Sequence, residues 1–351
     1  TTKLLDTLVD FFNGLCANCP THVKEFRDIV AKHDEATGDG VWNTIYPRLT
    51  EEDRRDVIEM NMEATRVASP RARPQAFRLR ETEQIRYYRS NENIGSLDKS
   101  TFFNLSGEIN IISAKSTETI STTLSSHRFA DISSRPIAVE PIRRKEAKVK
   151  AIDIPGEDVL VMLSPKIVAG IVRLLPKAFE EEVVKNKQSF ISEYIGKKVG
   201  TNKVHIIDDA TIPSGINTRY FDARGVPPLP ITLIKEGVIT DTYLSPALAQ
   251  KEDKRPSGHL KFSGELWPGN LLVRAGRRSQ NMILADRSEA MLATELVEPI
   301  QLNIQTGRVY IDAIFDLVGS DGLKGRVGSK KIDCHLFDLF KCVVESANDQ
   351  N

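Results

Sequence analysis

"PITLIKEGVITDTYL", residues 230–244, is the stretch that decides the fold class of this chain. Two runs rich in Ile, Leu, Val and Thr flank the dipeptide Glu236-Gly237. Runs of β-branched residues on either side of a two-residue turn that contains glycine are typical of a β-hairpin. The sequence therefore predicts an antiparallel pair of strands that is closed at Glu236-Gly237.

Similar strand patterns recur through the rest of the second half. They are the segments VHIIDDATI (204–212), GNLLVRAG (269–276), PIQLNIQTGRVYIDAIFDLVG (299–319) and KIDCHLFDLFKCV (331–343). Ahead of them, the strand DVLVMLS (158–164) is followed by PKIVAGIVRLLPKAF (165–179), which we interpret as one helix with Pro165 in its first turn. A twisted, mostly antiparallel sheet with barrel-like closure is predicted.

The first half combines helices with a second set of strands. Apolar residues recur at helical spacing in the first 30 residues, and LTEEDRRDVIEMNMEATRVA (49–68) predicts a helix that Thr50 caps and that ends before Ser69. Pro70 and Pro74 indicate an extended connector. From Arg80 onward, segments rich in Ile, Tyr, Ser and Thr indicate antiparallel strands.

These patterns place the chain in the α+β class with two domains. Its 351 residues, 40% of them apolar, exceed the size that one hydrophobic core usually supports. The charged, proline-punctuated segment RPIAVEPIRRKEAKVKA (135–151) is a natural boundary. We predict a helical and antiparallel-sheet N-terminal domain over 1–148, with helices in 1–75 and strands in 80–130, and a mostly β C-terminal domain over 149–351.

Composition argues against several classes of function. Lys plus Arg and Asp plus Glu both number 48, so no basic excess favours nucleic acid. The cluster Arg274, Arg277 and Arg278 lacks interleaved aromatic residues, and we interpret it as a solvated face. No apolar run approaches the roughly 20 residues of a membrane span. The polar residues among the first fifteen do not fit a secretory signal, so we expect a cytoplasmic protein.

The cysteines do not predict a metal site. Cys16 and Cys19 form a C-x-x-C pair with His22 nearby, but a zinc site takes four ligands and no second such pair exists in the sequence. Cys334 and Cys342 lie far away along the chain. We interpret the thiols as structural or incidental, and we predict no metal ligand and no cofactor in this chain.

Several segments of the second half resemble the C-terminal domain of the TldD/PmbA family, because they come in the family's order. They are SFISEYIGKKV (189–199), IIDD (206–209), FDARGVP (221–227), LIKEGVI (233–239) and GNLLVRAG (269–276). YYRSNENIGSLDKSTFFNLSGEI (87–109) and HRFADI (127–132) are similar to the middle of the same proteins. The resemblance extends over residues 80 to 325.

The resemblance implies a metallopeptidase context. TldD-type members carry a His-Glu-x-x-x-His helix whose two imidazoles hold zinc, with the glutamate as general base. PmbA-type members, also called TldE, lack that motif and form a dimer with TldD around an enclosed peptide chamber. Here the corresponding stretch is GIVRLLPKAF (170–179), and the turn that supplies a cysteine ligand in metal-bearing members is GSDGLKG (319–325), with Ser320 and Asp321. The chain is therefore similar to the PmbA side, with zinc expected in the partner.

Predicted substrate contacts concentrate in one long loop. The segment PSGHLKFSGELWPGN (256–270) exceeds the usual length of a connector, which is typical of a functional loop. We predict that His259, Trp267 and Asn270 contact a peptide, with the alternative that Trp267 fills the domain's own core. His127 and Arg128 could present a charged edge to a peptide carboxylate, with a satisfied surface pair as the alternative.

No catalytic residue is predicted. Asp208 and Asp209 are adjacent on a predicted strand, so their side chains point to opposite faces and cannot act as a carboxylate pair. We expect both to have a turn-capping or structural role. Asp222 and Arg224 are expected in a solvated loop, with an interface or substrate contact as the alternative, and no G-x-S-x-G nucleophile motif occurs.

The resulting hypothesis is a non-metal subunit of a TldD/PmbA-type metallopeptidase complex. It would contribute chamber and peptide-binding surface for proteolysis or peptide maturation by a metal-bearing TldD-like subunit in a heterodimer. The alternative is a stand-alone homodimeric binding or assembly protein in a biosynthetic pathway.

Overall fold

The computed structural model describes residues 41–89, 95–114, 116–146, 150–154, 159–287 and 289–348. Contacts divide the chain into two units. Unit 1 comprises Thr1–Lys145 and Ile212–Gly225, and unit 2 comprises Glu146–Thr211 and Val226–Asn351. The helices predicted in the first 30 residues and the group Cys16, Cys19 and His22 lie outside the described residues.

Unit 1 contains one antiparallel sheet with the strand order β1-β2-β3. The strands are β1 (Ala72–Arg89), β2 (Gly95–Ile112) and β3 (Thr117–Ser126). Burial alternates along β2, as expected where one face of a sheet covers a core. The predicted strands are confirmed, but the connector predicted up to Pro74 is wrong because β1 begins at Ala72. A register shift between Pro74 and Ala76 lets the strand tolerate its proline.

The helix predicted after Thr50 is confirmed as α1 (Glu51–Ala68). Thr50 Oγ1 accepts a hydrogen bond from the Asp53 amide at 3.1 Å, and Asp53 Oδ2 accepts one from the Thr50 amide at 2.7 Å. This reciprocal capping box satisfies two amides that have no partner within the helix. Val57 of α1 packs with Phe103 and Leu105 of β2, so the helix covers one face of the sheet.

Two short helices follow the sheet of unit 1 and were not predicted. They are α2 (Phe129–Ser133) and α3 (Val139–Glu146). The segment that contains α3 was interpreted as a linker because of its prolines and charges. Ala138 and Ile142 are nevertheless buried against Ile109 and Ile111, and this packing stabilises the helix.

Unit 2 contains two sheets, and the larger is a half-barrel. Its strands are β4 (Leu160–Leu163), β9 (Ala290–Leu296), β10 (Gln301–Leu302), β11 (Arg308–Gly319) and β12 (Gly322–His335). Only the β4–β9 pair among these described strands is parallel. The other sheet is antiparallel in the order β7-β6-β5-β8, with β5 (Ile206–Asp209), β6 (Ile231–Lys235), β7 (Val238–Ile239) and β8 (Asn270–Val273). The predicted α+β class is confirmed.

The hairpin that decided the fold class is confirmed in detail. Lys235 of β6 pairs with Val238 of β7, and the two residues between them have positive φ, 51° at Glu236 and 81° at Gly237. Two positive φ angles define the turn whose twist matches that of antiparallel strands. A Cβ on Gly237 would also collide with the carbonyl oxygen of Gly200, so this position requires glycine.

One helix prediction and one strand prediction in unit 2 were wrong. The single helix predicted over 165–179 is α4 (Pro165–Val172) followed by a separate 3₁₀ turn, Pro176–Phe179, because Pro176 has no amide hydrogen to continue the helix. The predicted strand over 331–343 ends at His335, where α8 (Leu336–Lys341) begins. His335 Nδ1 accepts a hydrogen bond from the Phe337 amide at 3.1 Å and caps α8.

The remaining helices of unit 2 are short connections between strands. They are α5 (Glu181–Lys185), α6 (Pro246–Glu252) and α7 (Gln280–Ala285). Within the described ranges, no helix has the length and apolar character needed to cross a membrane.

Candidate functional site

Strand β5 carries its two aspartates in opposite directions, as the sequence predicted. Asp208 is fully buried, whereas Asp209 is half-buried on the other face. Asp209 Oδ1 accepts hydrogen bonds from the amide and hydroxyl of Thr211 at 2.8 and 2.6 Å, so its predicted turn-capping role is confirmed. Asp208 caps no turn and instead has the structural role that was the other part of the prediction, because its carboxylate is buried and bonded to Tyr243 and Gly269.

The Asp208 carboxylate is the centre of a buried polar network. Its Oδ2 accepts a hydrogen bond from the Tyr243 hydroxyl at 2.5 Å and one from the Gly269 amide at 2.9 Å. A Cβ on Gly269 would lie 2.5 Å from Asp208 Oδ1, so only glycine permits this approach. Bonds to an ionised acceptor in a water-poor site are stronger than neutral ones. We call Asp208, Tyr243, His259 and Gly269 the Asp208 network.

His259 completes the network in a fixed orientation. Its side chain is 1% exposed, and Nδ1 donates a hydrogen bond to the Ser257 carbonyl oxygen at 2.7 Å. The other ring nitrogen, Nε2, lies 3.9 Å from Asp208 Oδ2, a distance at which a protonated ring would form an ion pair with the carboxylate. The Tyr243 ring packs edge-on against the imidazole at 5.2 Å between centroids. The network therefore fixes the chain on both sides of the long loop.

Beyond this base, the loop forms a tight hairpin that we call the tip loop, residues 260–266. Leu260 pairs with Leu266, and the Trp267 amide donates to the His259 carbonyl oxygen at 2.8 Å. Phe262 at its apex is 87% exposed. An aromatic side chain is thus presented to solvent on a segment that is held by backbone hydrogen bonds.

The structure places the three predicted loop residues at the base of the tip loop. His259 lies inside the Asp208 network. Trp267 is half-buried, and its amide donates a hydrogen bond to the His259 carbonyl oxygen. Asn270 is half-buried and its Nδ2 donates to the Asp209 carbonyl oxygen at 2.8 Å. The predicted substrate contacts of these residues stay predictions. No sequence pattern indicated Tyr243 or Phe262.

The other two predicted residues belong to unit 1. His127 is 4% exposed, and its Nε2 lies 3.2 Å from the Ile216 carbonyl oxygen. Arg128 is exposed and forms a bidentate pair with Asp131, at 3.0 and 2.8 Å. Burial alone would raise the pKa of Asp131, but hydrogen bonds from Ser126 and Arg128 outweigh it and hold that pKa below its ordinary value.

The prediction of a solvated loop around Asp222 is wrong. Arg224 is exposed as expected, but Asp222 is 1% exposed within unit 1. Its charge faces Arg86, which balances part of the cost of burying a carboxylate. Sequence pattern alone could not distinguish this buried aspartate from a solvated one.

The residues that the resemblance assigns to the family's metal motif do not fit a zinc ion. Ile171, Val172 and Leu175 are buried in the main hydrophobic core of unit 2, and they have no ligating atom. A Cβ on Gly170 would already lie 2.8 Å from Ile300 Cδ1. Among the described residues, no three His, Cys, Asp or Glu side chains are grouped closely enough to hold a metal. The stretch is core, and no reaction step can be assigned to it.

The turn between β11 and β12 offers no thiolate in place of the cysteine ligand that the resemblance implies. It carries Ser320 and Asp321, both exposed. Cys334, further along β12, is half-buried, and burial together with the charges of Asp338 and Asp333 raises the pKa of its thiol. A thiol with a raised pKa is a weaker candidate for the thiolate that zinc requires.

Comparison with known proteins identifies the family. Residues 156–351 match the family model described as the PmbA/TldA metallopeptidase C-terminal domain. The chain belongs to the PmbA/TldD family. It is 25% identical over 160 residues to a metalloprotease of Methanocaldococcus jannaschii, covering 44% of this chain and 36% of that protein. An uncharacterized protein of the same organism is 25% identical over 135 residues, covering 38% and 32%. The chain thus spans about a third of the length of these curated relatives.

Solved structures of PmbA/TldD-like proteins share the fold. A proposed modulator of DNA gyrase from Bacteroides thetaiotaomicron superposes with a TM-score of 0.75 at 16% identity, covering 88% of this chain and 69% of that one. A second, from Thermotoga maritima, gives 0.75 at 18% identity, with 88% and 72% covered. TldE from Thermococcus kodakarensis gives 0.69 at 16% identity, with 87% and 71% covered. At these identities the similarity concerns the fold alone.

Proposed function

We propose that this chain is the non-metal subunit of a PmbA/TldD-type metallopeptidase complex. The observation that carries the proposal is the apolar core at Ile171, Val172 and Leu175, where the resemblance expects metal ligands. A chain with the family scaffold but without these ligands can contribute surface and shape to a peptidase, and the zinc chemistry would come from a metal-bearing TldD-like partner.

The tip loop supports a role in contacting that partner or its peptide. Aromatic side chains, phenylalanine included, are enriched in protein interfaces, and a side chain that is held in place before binding costs less to immobilise. Phe262 meets this description, since the backbone bonds of the loop and the Asp208 network hold its position. The backbone hydrogen bonds of the loop restrict its conformations, so less conformational entropy would be lost on binding than from an unpaired loop.

The test is reconstitution. The chain is mixed with a family member that carries His-Glu-x-x-x-His, the molar mass is measured by light scattering, and hydrolysis of unstructured peptides is followed. We expect a heterodimer whose turnover depends on this chain. Phe262→Ser is expected to weaken association about tenfold or more, the scale of an aromatic hot spot. Val344→Ser, which changes a 60% exposed valine elsewhere in unit 2, is the matched control.

Two results would contradict the proposal. Turnover by the metal-bearing member that is unaffected by this chain would remove any role in catalysis. A homodimer that ignores every such partner would favour the stand-alone binding or assembly protein instead. If Phe262→Ser and Val344→Ser weakened association equally, the subunit role could stand but the assignment of the tip loop would fall.

A further inference from the structure

Strand β12 lies at the edge of the half-barrel sheet of unit 2, with β11 on one side. The Leu336 amide donates to the Gly307 carbonyl oxygen at 2.8 Å, and this bond sets which residues of β12 face β11. Backbone direction alternates along a strand, so the even-numbered residues of 328–334 are bonded to β11. Lys331 and Asp333 therefore direct their N–H and C=O groups outward, away from the sheet.

These outward backbone groups are open to a further strand. Within the described ranges, neither Lys331 nor Asp333 forms a backbone hydrogen bond on this side. The segment 150–152 pairs with β12 at Arg326, through backbone bonds of 3.0 and 2.8 Å, and this pairing does not extend to Lys331 among the described residues. An unpaired edge of a sheet is a template on which another strand can be added.

The two outward residues carry opposite charges on the same face of the sheet. Lys331 Nζ lies 5.8 Å from the centroid of the Tyr310 ring and 4.0 Å from Asp312 Oδ2. Asp333 accepts hydrogen bonds from the Arg308 guanidinium at 2.6 and 2.9 Å. The side chains nevertheless remain 65% exposed at Lys331 and 41% exposed at Asp333. Both charges are thus accessible to the side chains of an added strand.

A second copy of β12 matches this edge in one antiparallel register. With a two-fold axis at Ile332, Lys331 of each copy lies directly opposite Asp333 of the other. Since both residues direct their backbone groups outward, each such pair can exchange both of its N–H···O bonds. An axis at Lys330, Lys331 or Asp333 would instead place like charges directly opposite one another, which destabilises a strand pair. The charges therefore select the register that is centred on Ile332.

Ile332 favours the same register. It is partly buried and packs against the main hydrophobic core of unit 2. At the axis, the two copies of Ile332 would form a non-hydrogen-bonded pair, the kind in which opposite side chains approach most closely. Lys330, on the same face, would lie opposite the uncharged Cys334 of the other copy. The apolar contact at the axis would extend the core from one copy to the next.

We propose that β12 is a self-pairing edge through which two copies of this chain form a symmetric dimer. Lysine on an edge strand ordinarily opposes pairing, but here Asp333 supplies the opposite charge at the position that faces Lys331. The paired surface is small and polar, so the dimer is weak and forms at high protein concentration. The pairing uses β12 rather than the tip loop and does not rest on the subunit role proposed above.

Amide hydrogen exchange of the full chain, alone and at increasing concentration, tests the edge without any variant. Light scattering at the same concentrations gives the dimeric fraction. We expect the Lys331 and Asp333 amides to exchange about tenfold more slowly once about nine-tenths of the chain is dimeric, because only the free edge exchanges. The Ile332 amide, already bonded to β11, should change by less than about threefold. A chain that stays monomeric, or a dimer that leaves the outward amides unprotected, would overturn the proposal.

Charge reversal tests the register. Lys331→Glu and Asp333→Lys each place like charges opposite one another at both symmetric pairs, so each variant alone should dimerise about tenfold more weakly or less. Mixed together, the two variants restore unlike charges at every pair and should associate within about threefold of the wild type. Lys330→Glu makes the same change of charge one residue away, opposite Cys334, and is the matched control that should keep wild-type association.

Two results with these variants would contradict the register. Lys330→Glu and Lys331→Glu might weaken the dimer equally, which would make net charge the cause, or the mixture of the two reversed variants might fail to associate. Circular dichroism and urea unfolding establish that each variant is folded. If one is not, the exchange of the outward amides in the wild type decides alone. The subunit role is tested separately, by reconstitution with the metal-bearing member at concentrations where this chain alone is monomeric.

Discussion

Two regions of unit 2 bury opposite kinds of side chain, apolar in one and polar in the other. Around α4, at the position where the family's metal motif is expected, the buried side chains are apolar and continuous with the main core. Around β5, the buried groups are a carboxylate, a phenol and an imidazole that bond one another and the backbone. The first region only stabilises the fold, whereas the second fixes the chain that presents the tip loop.

The two regions show where this domain buries polar side chains. A buried charge is tolerated only when donors satisfy it, and Asp208 has them from the Tyr243 hydroxyl and the Gly269 amide. Metal ligands placed at α4 would face Ile300 and other apolar side chains without such partners. The chain thus satisfies the polar groups that it buries at the loop base and keeps α4 apolar.

The apolar region should be the more sensitive to truncation. Leu175→Ala removes a fully buried side chain from the main core, and we expect a loss of about 3 to 5 kcal/mol in the free energy of unfolding. Arg173→Ala, on the exposed side of the same turn, should change it by less than about 0.5 kcal/mol. Urea unfolding measures both. Equal, small effects would mean that this stretch is not core.

The polar region should show a contrast between neighbours. Asp208→Ala leaves the Tyr243 hydroxyl and the Gly269 amide buried without this acceptor, at an expected cost of about 2 to 4 kcal/mol. Asp209→Ala removes only a half-buried turn cap, at about 1 kcal/mol. Hydrogen exchange should rise across residues 256–270 in Asp208→Ala alone. The reverse order of the two effects would refute the role of the Asp208 network.

Local rules predicted the parts of this fold that local chemistry determines. The cap at Thr50 and the turn at Glu236-Gly237 depend on residues within a few positions of one another, and both are as predicted. The opposite orientation of Asp208 and Asp209 follows from strand geometry alone. These features do not depend on residues that are distant in sequence.

The errors arise where distant segments decide the outcome. Asp222 was expected in solvent, but it is buried beside Arg86, more than a hundred positions away in sequence. The segment of α3 was interpreted as a linker, but Ile142 packs in one buried cluster with Ile109 of β2. His259 was singled out for the length of its loop, and its partners Tyr243 and Ser257 could not be identified from spacing. These errors arise because burial depends on segments that are distant in sequence. Hydrophobic periodicity and residue propensities do not describe such contacts.

This chain belongs to a metallopeptidase family, and we propose that it holds no zinc. Metal analysis is the direct test. The full-length chain, purified in the presence of zinc and then dialysed, is analysed by plasma mass spectrometry alongside a family member that carries His-Glu-x-x-x-His. We predict well under about 0.1 zinc per chain here and about one in the comparison protein. About one tightly held zinc per chain here would contradict the account, and Cys16, Cys19 and His22 would be the first residues to replace.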